Sequence, residues 1–86
     1  YRSAPTYELE HDIDHSVSYV HGLVQDLIAG KELDYKTLAS KELSALEQMV
    51  AKLNRCQVNE PEKEKFRKYI SDMTFILRDV SENCPQ

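Results

Sequence analysis

Apolar residues recur along this chain in three blocks, each with the alternating four-and-three spacing of a helix that buries one face. In the central block, Leu33 to Leu53, the stripe is Ala39, Leu43, Leu46, Val50 and Leu53, widened by Leu38 and Met49. So wide a stripe predicts cover from more than one side. The block has a readable start, because Asp34 is an N-cap residue and Leu33 before it stands where it can staple onto Leu38. In the first block, Leu9, Ile13, Val17, Val20, Val24 and Leu27 keep the same rhythm, with Leu23 and Ile28 beside them. Thr6 is its expected N-cap, Glu8, Glu10, Asp12 and Asp14 lie toward the positive end of the helix dipole, and Gly30 offers a left-handed stop. The third block carries Phe66, Tyr69, Ile70, Met73, Ile76, Leu77 and Val80 on one stripe.

The breaks between blocks are short. GKEL separates the first from the second, and in QVNEP Asn59 caps the next helix, Pro61 suits its first turn and Glu62 stands at a capping-box position. The expected elements are helices over about 6–29, 35–56 and 60–82. Short connections make neighbours antiparallel, so the fold class is all-α, an antiparallel up-down-up three-helix bundle forming a single domain over residues 1–86. YRSAP reads as a frayed lead-in, and a chain that starts at Tyr1 rather than Met reads as a processed product or a piece of something larger.

Composition supports this picture and narrows the function. Apolar residues are 41% and charged residues 30% with two glycines, too apolar for disorder and too Gly-poor for a turn-rich β fold. The net charge of −4 disfavours a nucleic-acid partner, and glutamates interleave the one basic stretch, Lys63, Lys65, Arg67 and Lys68. No apolar run approaches the roughly 20 residues of a membrane span, and no signal-peptide pattern opens the chain. The expected location is cytoplasmic. Cys56 and Cys84 fall at the ends of successive antiparallel helices, too far apart for an internal disulfide, which leaves reduced thiols or a pairing of Cys84 with another chain.

Candidate chemistry is sparse. His11 and His15 in HDIDH are one turn apart, a spacing that two metal-bound imidazoles use, with Glu8 or Asp12 as an oxygen donor, yet two histidines without ligands from another helix read as a polar face. His21 borders the first stripe, a place where histidine can serve as a pH-sensitive group. There is no phosphate loop, nucleophile elbow or paired-cysteine motif, so no catalytic residue, metal or cofactor is assigned and the chain is read as a non-enzyme. Phe75 carries more. It falls about 160° from the centre of the third stripe, among Lys68, Ser71, Arg78 and Asp79, where a large aromatic stays exposed until a partner or a second copy of the chain covers it. Tyr19 is similarly off the core direction of the first helix.

The three-helix pattern together with LASKELSALE, Leu38 to Glu47, resembles the BAG domain of chaperone regulators, as does the apolar run Met73 to Leu77. The resemblance implies binding to the nucleotide-binding domain of a heat-shock chaperone through polar residues on the second and third helices. Glu42 and Glu47 are the acids it carries over; Phe66 and Thr74 stand where the family has positive and amide groups, with Arg67 adjacent. A second, local resemblance runs from Gly30 to Glu47 and is to small enterobacterial biofilm and acid-resistance regulators, which are helical and dimeric. The expectation is a protein-interaction module whose second and third helices present Phe75, Arg78, Glu42, Glu47, Arg67 and Lys68 to a protein partner. The alternative is a small homodimeric stress or transcriptional regulator.

Overall fold

The computed structural model describes residues 4–56 and 58–83. Three helices, α1 (Ala4–Ile28), α2 (Tyr35–Arg55) and α3 (Glu60–Asn83), form the up-down-up bundle that the pattern predicts, a rod of 46 × 17 × 17 Å. α2 and α3 are the most closely packed pair, and α1 lies against both. The expectations for Tyr1 to Ser3, Cys84 and Pro85 fall outside the described residues.

The helix ends follow from local chemistry. Gly30 adopts φ 78°, and its N–H donates to the Leu27 carbonyl at 3.1 Å while that of Lys31 donates to the Asp26 carbonyl at 3.0 Å. These are the two bonds of a Schellman stop, and they use carbonyls that the end of α1 would leave unpaired. Asp34 caps α2 by accepting from the Thr37 N–H at 3.2 Å and the Thr37 hydroxyl at 2.7 Å. Asn59 caps α3, its Oδ1 accepting from the Glu62 N–H at 3.1 Å. The start of α1 differs from expectation. α1 is already helical at Ala4, so Thr6 lies inside the helix instead of at its N-cap, and it is buried. That shift also takes Glu8 out of the first turn, beyond the short reach of the dipole. Glu8 and Asp12 instead meet Lys52 of α2, the former in a direct hydrogen bond and the latter at 3.6 Å.

The core is a narrower seam than the stripes suggest. α3 buries Phe66, Ile70, Met73, Leu77 and Val80, a strict four-three repeat. Tyr69 and Ile76, one residue to the side, are 43% and 39% exposed. On α2 the buried row is Tyr35, Ala39, Leu46 and Leu53, so the seam runs through Glu42 and Met49, while Val50 is partly exposed. Tyr35, not assigned to the core from the sequence, is 2% exposed, and its hydroxyl donates to the Lys31 carbonyl. Burial, and to a smaller extent the charge of Asp26, push the Tyr35 phenol above its usual range.

α1 is turned from the expected face. Its buried positions are Leu9, Ile13, Ser16, Val20 and Leu23, with Val24 and Leu27 packed beside them. Ser16 is fully buried and Val17 is 43% exposed, the reverse of the expected assignment. The reason lies on α2. Glu42 occupies a seam position half-buried, and its Oε2 accepts from Ser16 Oγ at 2.5 Å. A carboxylate drawn into a helix interface needs a donor there, and a hydroxyl in the facing seam position supplies one where valine could not.

Two outcomes test this packing. Leu46→Ala, at the fully buried centre of α2, is expected to cost about 2–5 kcal/mol in denaturant unfolding, from lost transfer energy and the cavity left behind. Ser16→Ala alone leaves the carboxylate without its donor and is expected to cost about 1–3 kcal/mol, whereas Ser16→Ala with Glu42→Leu recovers most of that loss. A double variant as unstable as the single one would contradict the pairing.

Candidate functional site

The residues singled out by the sequence do not form one surface. Phe75 is 75% exposed, at the outer pole of α3 opposite the seam. Lys68 and Arg78 share that pole one or two turns away, both exposed, with Ser71, Asp72 and Asp79 around them. This part of the expected set is brought together. Arg67, on the α2 side of α3, is drawn away from it, its guanidinium lying 2.6 Å from Glu64 and 3.7 Å from Glu60. Glu47 is exposed on α2, and Glu42 is occupied by Ser16 on the side of α2 that faces α1. The two acids carried over from the BAG resemblance therefore point to different sides of the bundle.

A second apolar surface lies along the junction of α1 and α3. Val17 and Tyr69 line one cleft of about 230 Å3 together with Ile13 and Phe66; Glu10 and Asp14 stand on its α1 wall and Lys65 on its α3 wall. The Lys65 ammonium sits 5.9 Å from the centre of the Tyr69 ring, a cation–π arrangement. One heptad further along, Val24 and Ile76 continue the row, and Ile28, largely exposed, ends it. This surface was missed because Val17, Tyr69 and Ile76 satisfy the helical period as well as the buried residues do. The signal that separates them is the strict heptad through Leu9, Ser16 and Leu23, which leaves Val17 and Val24 one step to the side.

The histidine cluster stays at the surface. The His11 side chain is 85% exposed, its Nδ1 lies 3.9 Å from Asp12, and His15 and His21 are exposed too. Among the described residues no group of three His, Cys, Asp or Glu side chains is placed to hold a metal ion, and no helix is long and apolar enough to cross a membrane. Cys56 is a free, half-buried thiol. Two charged groups are tuned by their neighbours. The hydrogen bond to Glu8, reinforced by the charges of Glu8 and Asp12 and opposed by desolvation, raises the Lys52 pKa. The hydroxyl and N–H of Thr37 together hold the Asp34 carboxyl below its usual range. No protein family, curated protein or solved structure matches the chain.

The Asp34 cap gives a pH signature. Because the carboxyl is depressed in the folded state, its contribution is fully present above the unfolded value of 3.8 and is lost as pH falls through the folded value. Wild type is therefore expected to exceed Asp34→Ala in thermal stability by several degrees at pH 6, with the gap closing in acid below pH 3.8. Melting temperatures of both chains between pH 2 and 7 would show it; a gap that stayed constant across that range would contradict the cap.

Proposed function

We propose that this chain is a non-enzymatic protein-interaction module of the cytoplasm that binds a protein partner through α3, with Phe75 as the anchor. The observation that carries the reading is the 75% exposure of Phe75 on an otherwise polar helix face, beside Arg78 and Lys68. Aromatic and arginine side chains in such settings are the residues that most often dominate binding energy. The surface pairing of Arg67 with Glu60 and Glu64 favours a protein partner over a nucleic acid, because it offsets a cation of the one basic stretch. Glu42 has a structural place here, so a chaperone contact of the BAG kind would have to run through Glu47 and the outer pole of α3.

The test is a photo-crosslinkable phenylalanine analogue at position 75, with the same group at Ser40 on the exposed side of α2 as control. A partner is expected to cross-link from position 75 and not from 40, and Phe75→Ala is expected to weaken its affinity by about tenfold or more while leaving the melting temperature unchanged. Equal cross-linking from both positions, or full affinity after Phe75→Ala, would contradict the assignment.

A further inference from the structure

The α1–α3 surface has a shape and a charge pattern of its own. Its apolar centre is the row Val17, Val24 and Ile28 on α1 with Tyr69 and Ile76 on α3, all at least partly open to solvent. Repeats seven residues apart hold both halves of the row on one side of the rod. From the level of Glu10 to that of Ile28 the strip is about 27 Å long, at 1.5 Å of rise per residue, the length of a helix of about 18 residues. At one end the cleft of about 230 Å3 beside Phe66 and Tyr69 has room for a large apolar side chain, since a cavity of about 150 Å3 already admits benzene.

The flanks are acidic. Glu10 and Asp14 border the strip on α1, and Asp72 and Asp79, each three residues beyond Tyr69 and Ile76, border it on α3; Lys65 stands at the cleft, and Lys68 and Arg78 lie past the two aspartates toward Phe75. We infer that this groove docks a basic amphipathic helix of a partner protein, its apolar side on the valine, isoleucine and tyrosine row and its lysines or arginines against the four carboxylates. Helix-in-groove recognition needs these two elements, an apolar track for anchors spaced at three and four residues and a rim of opposite charge. A second copy of the chain fits less well, because in a chain of net charge −4 it would bring the four acids and their mates to one interface with Lys65 of each copy as the offset.

The inference rests on the reading of the chain as a protein-binding module and supplies the chemistry of the partner. Asp72 and Asp79 separate the strip from Phe75 around α3, so both contacts lie on one continuous side of the molecule, and each can fail without the other.

The probe is an 18-residue helical peptide with leucines on one face, lysines on the other and one tryptophan among the leucines. The chain has no tryptophan of its own, which makes the emission shift a clean report of docking. Saturable binding is expected, with amide shifts in a labelled sample centred on Val17, Val24, Tyr69 and Ile76. Binding should weaken about tenfold when Asp72→Lys and Asp79→Lys are combined, weaken with Val17→Ser and Ile76→Ser, and hold with Glu47→Lys on α2. A peptide carrying glutamates in place of the lysines should not bind. Equal binding of the acidic peptide, indifference to the Asp72 and Asp79 reversals, shifts centred elsewhere, or a dimer in sedimentation that shields the row would each overturn the inference. Loss of the position-75 cross-link with the peptide mapping intact would remove the Phe75 anchor alone; the converse would remove the groove alone.

Discussion

Glu42 stands in the seam between α1 and α2, at a position that the heptad repeat of α2 would ordinarily give to an apolar residue, and its carboxylate accepts from the Ser16 hydroxyl. Leaving that carboxylate unpaired between helices would cost more than the bond itself contributes. The pair goes with one rotation of α1 about its own axis, the one that also buries Leu9, Ile13, Val20 and Leu23. With Ser16 turned inward, Leu9, Val20 and Leu23 fall into the core, and Val17 is carried to the side facing α3. The half-open apolar row between α1 and α3 is the consequence. One part-buried polar contact thus links the packing of the bundle to the surface it presents, in the way that single polar residues in helical seams set register at some cost in stability.

The parts of the fold governed by local chemistry were legible in the sequence. Asp34, Asn59 and Gly30 each satisfy or end a helix through groups a few residues away, so α2 and α3 begin and α1 stops where the sequence puts them. Less was legible where the deciding partner is remote. Ser16 reads as one polar residue in the stripe of α1 until Glu42, 26 residues away, is placed opposite it. Glu8 and Asp12 read as dipole acids until α1, already helical at Ala4, places them past its first turn and Lys52 of α2 takes them up. Periodicity gives direction and not depth: Tyr69 and Ile76 share the general direction of the core residues of α3 and still lie at its edge. Phe75 was legible for the opposite reason, since no rotation compatible with a buried Phe66, Ile70 and Leu77 could bring it inside.

A rod 17 Å across has little depth for an enclosed site, and the proposed contacts lie on its long sides. Those sides differ. The exposed side of α2 carries Ser40, Ser44 and Glu47. The side shared by α1 and α3 carries the apolar row, the acidic borders and, past Asp72 and Asp79, Phe75. The proposed function and the partner chemistry both follow from this asymmetry, which itself depends on which residues of α1 face inward.

The most direct measurement is the solvent accessibility of individual valine methyls, read from their relaxation in the presence of a soluble nitroxide. If the Ser16–Glu42 contact sets the rotation of α1, the Val17 methyls are broadened strongly and those of Val20 and Val80 are protected. Protection of Val17 to the level of Val20 would mean that α1 is rotated or that a second copy covers the row, and either would contradict the account.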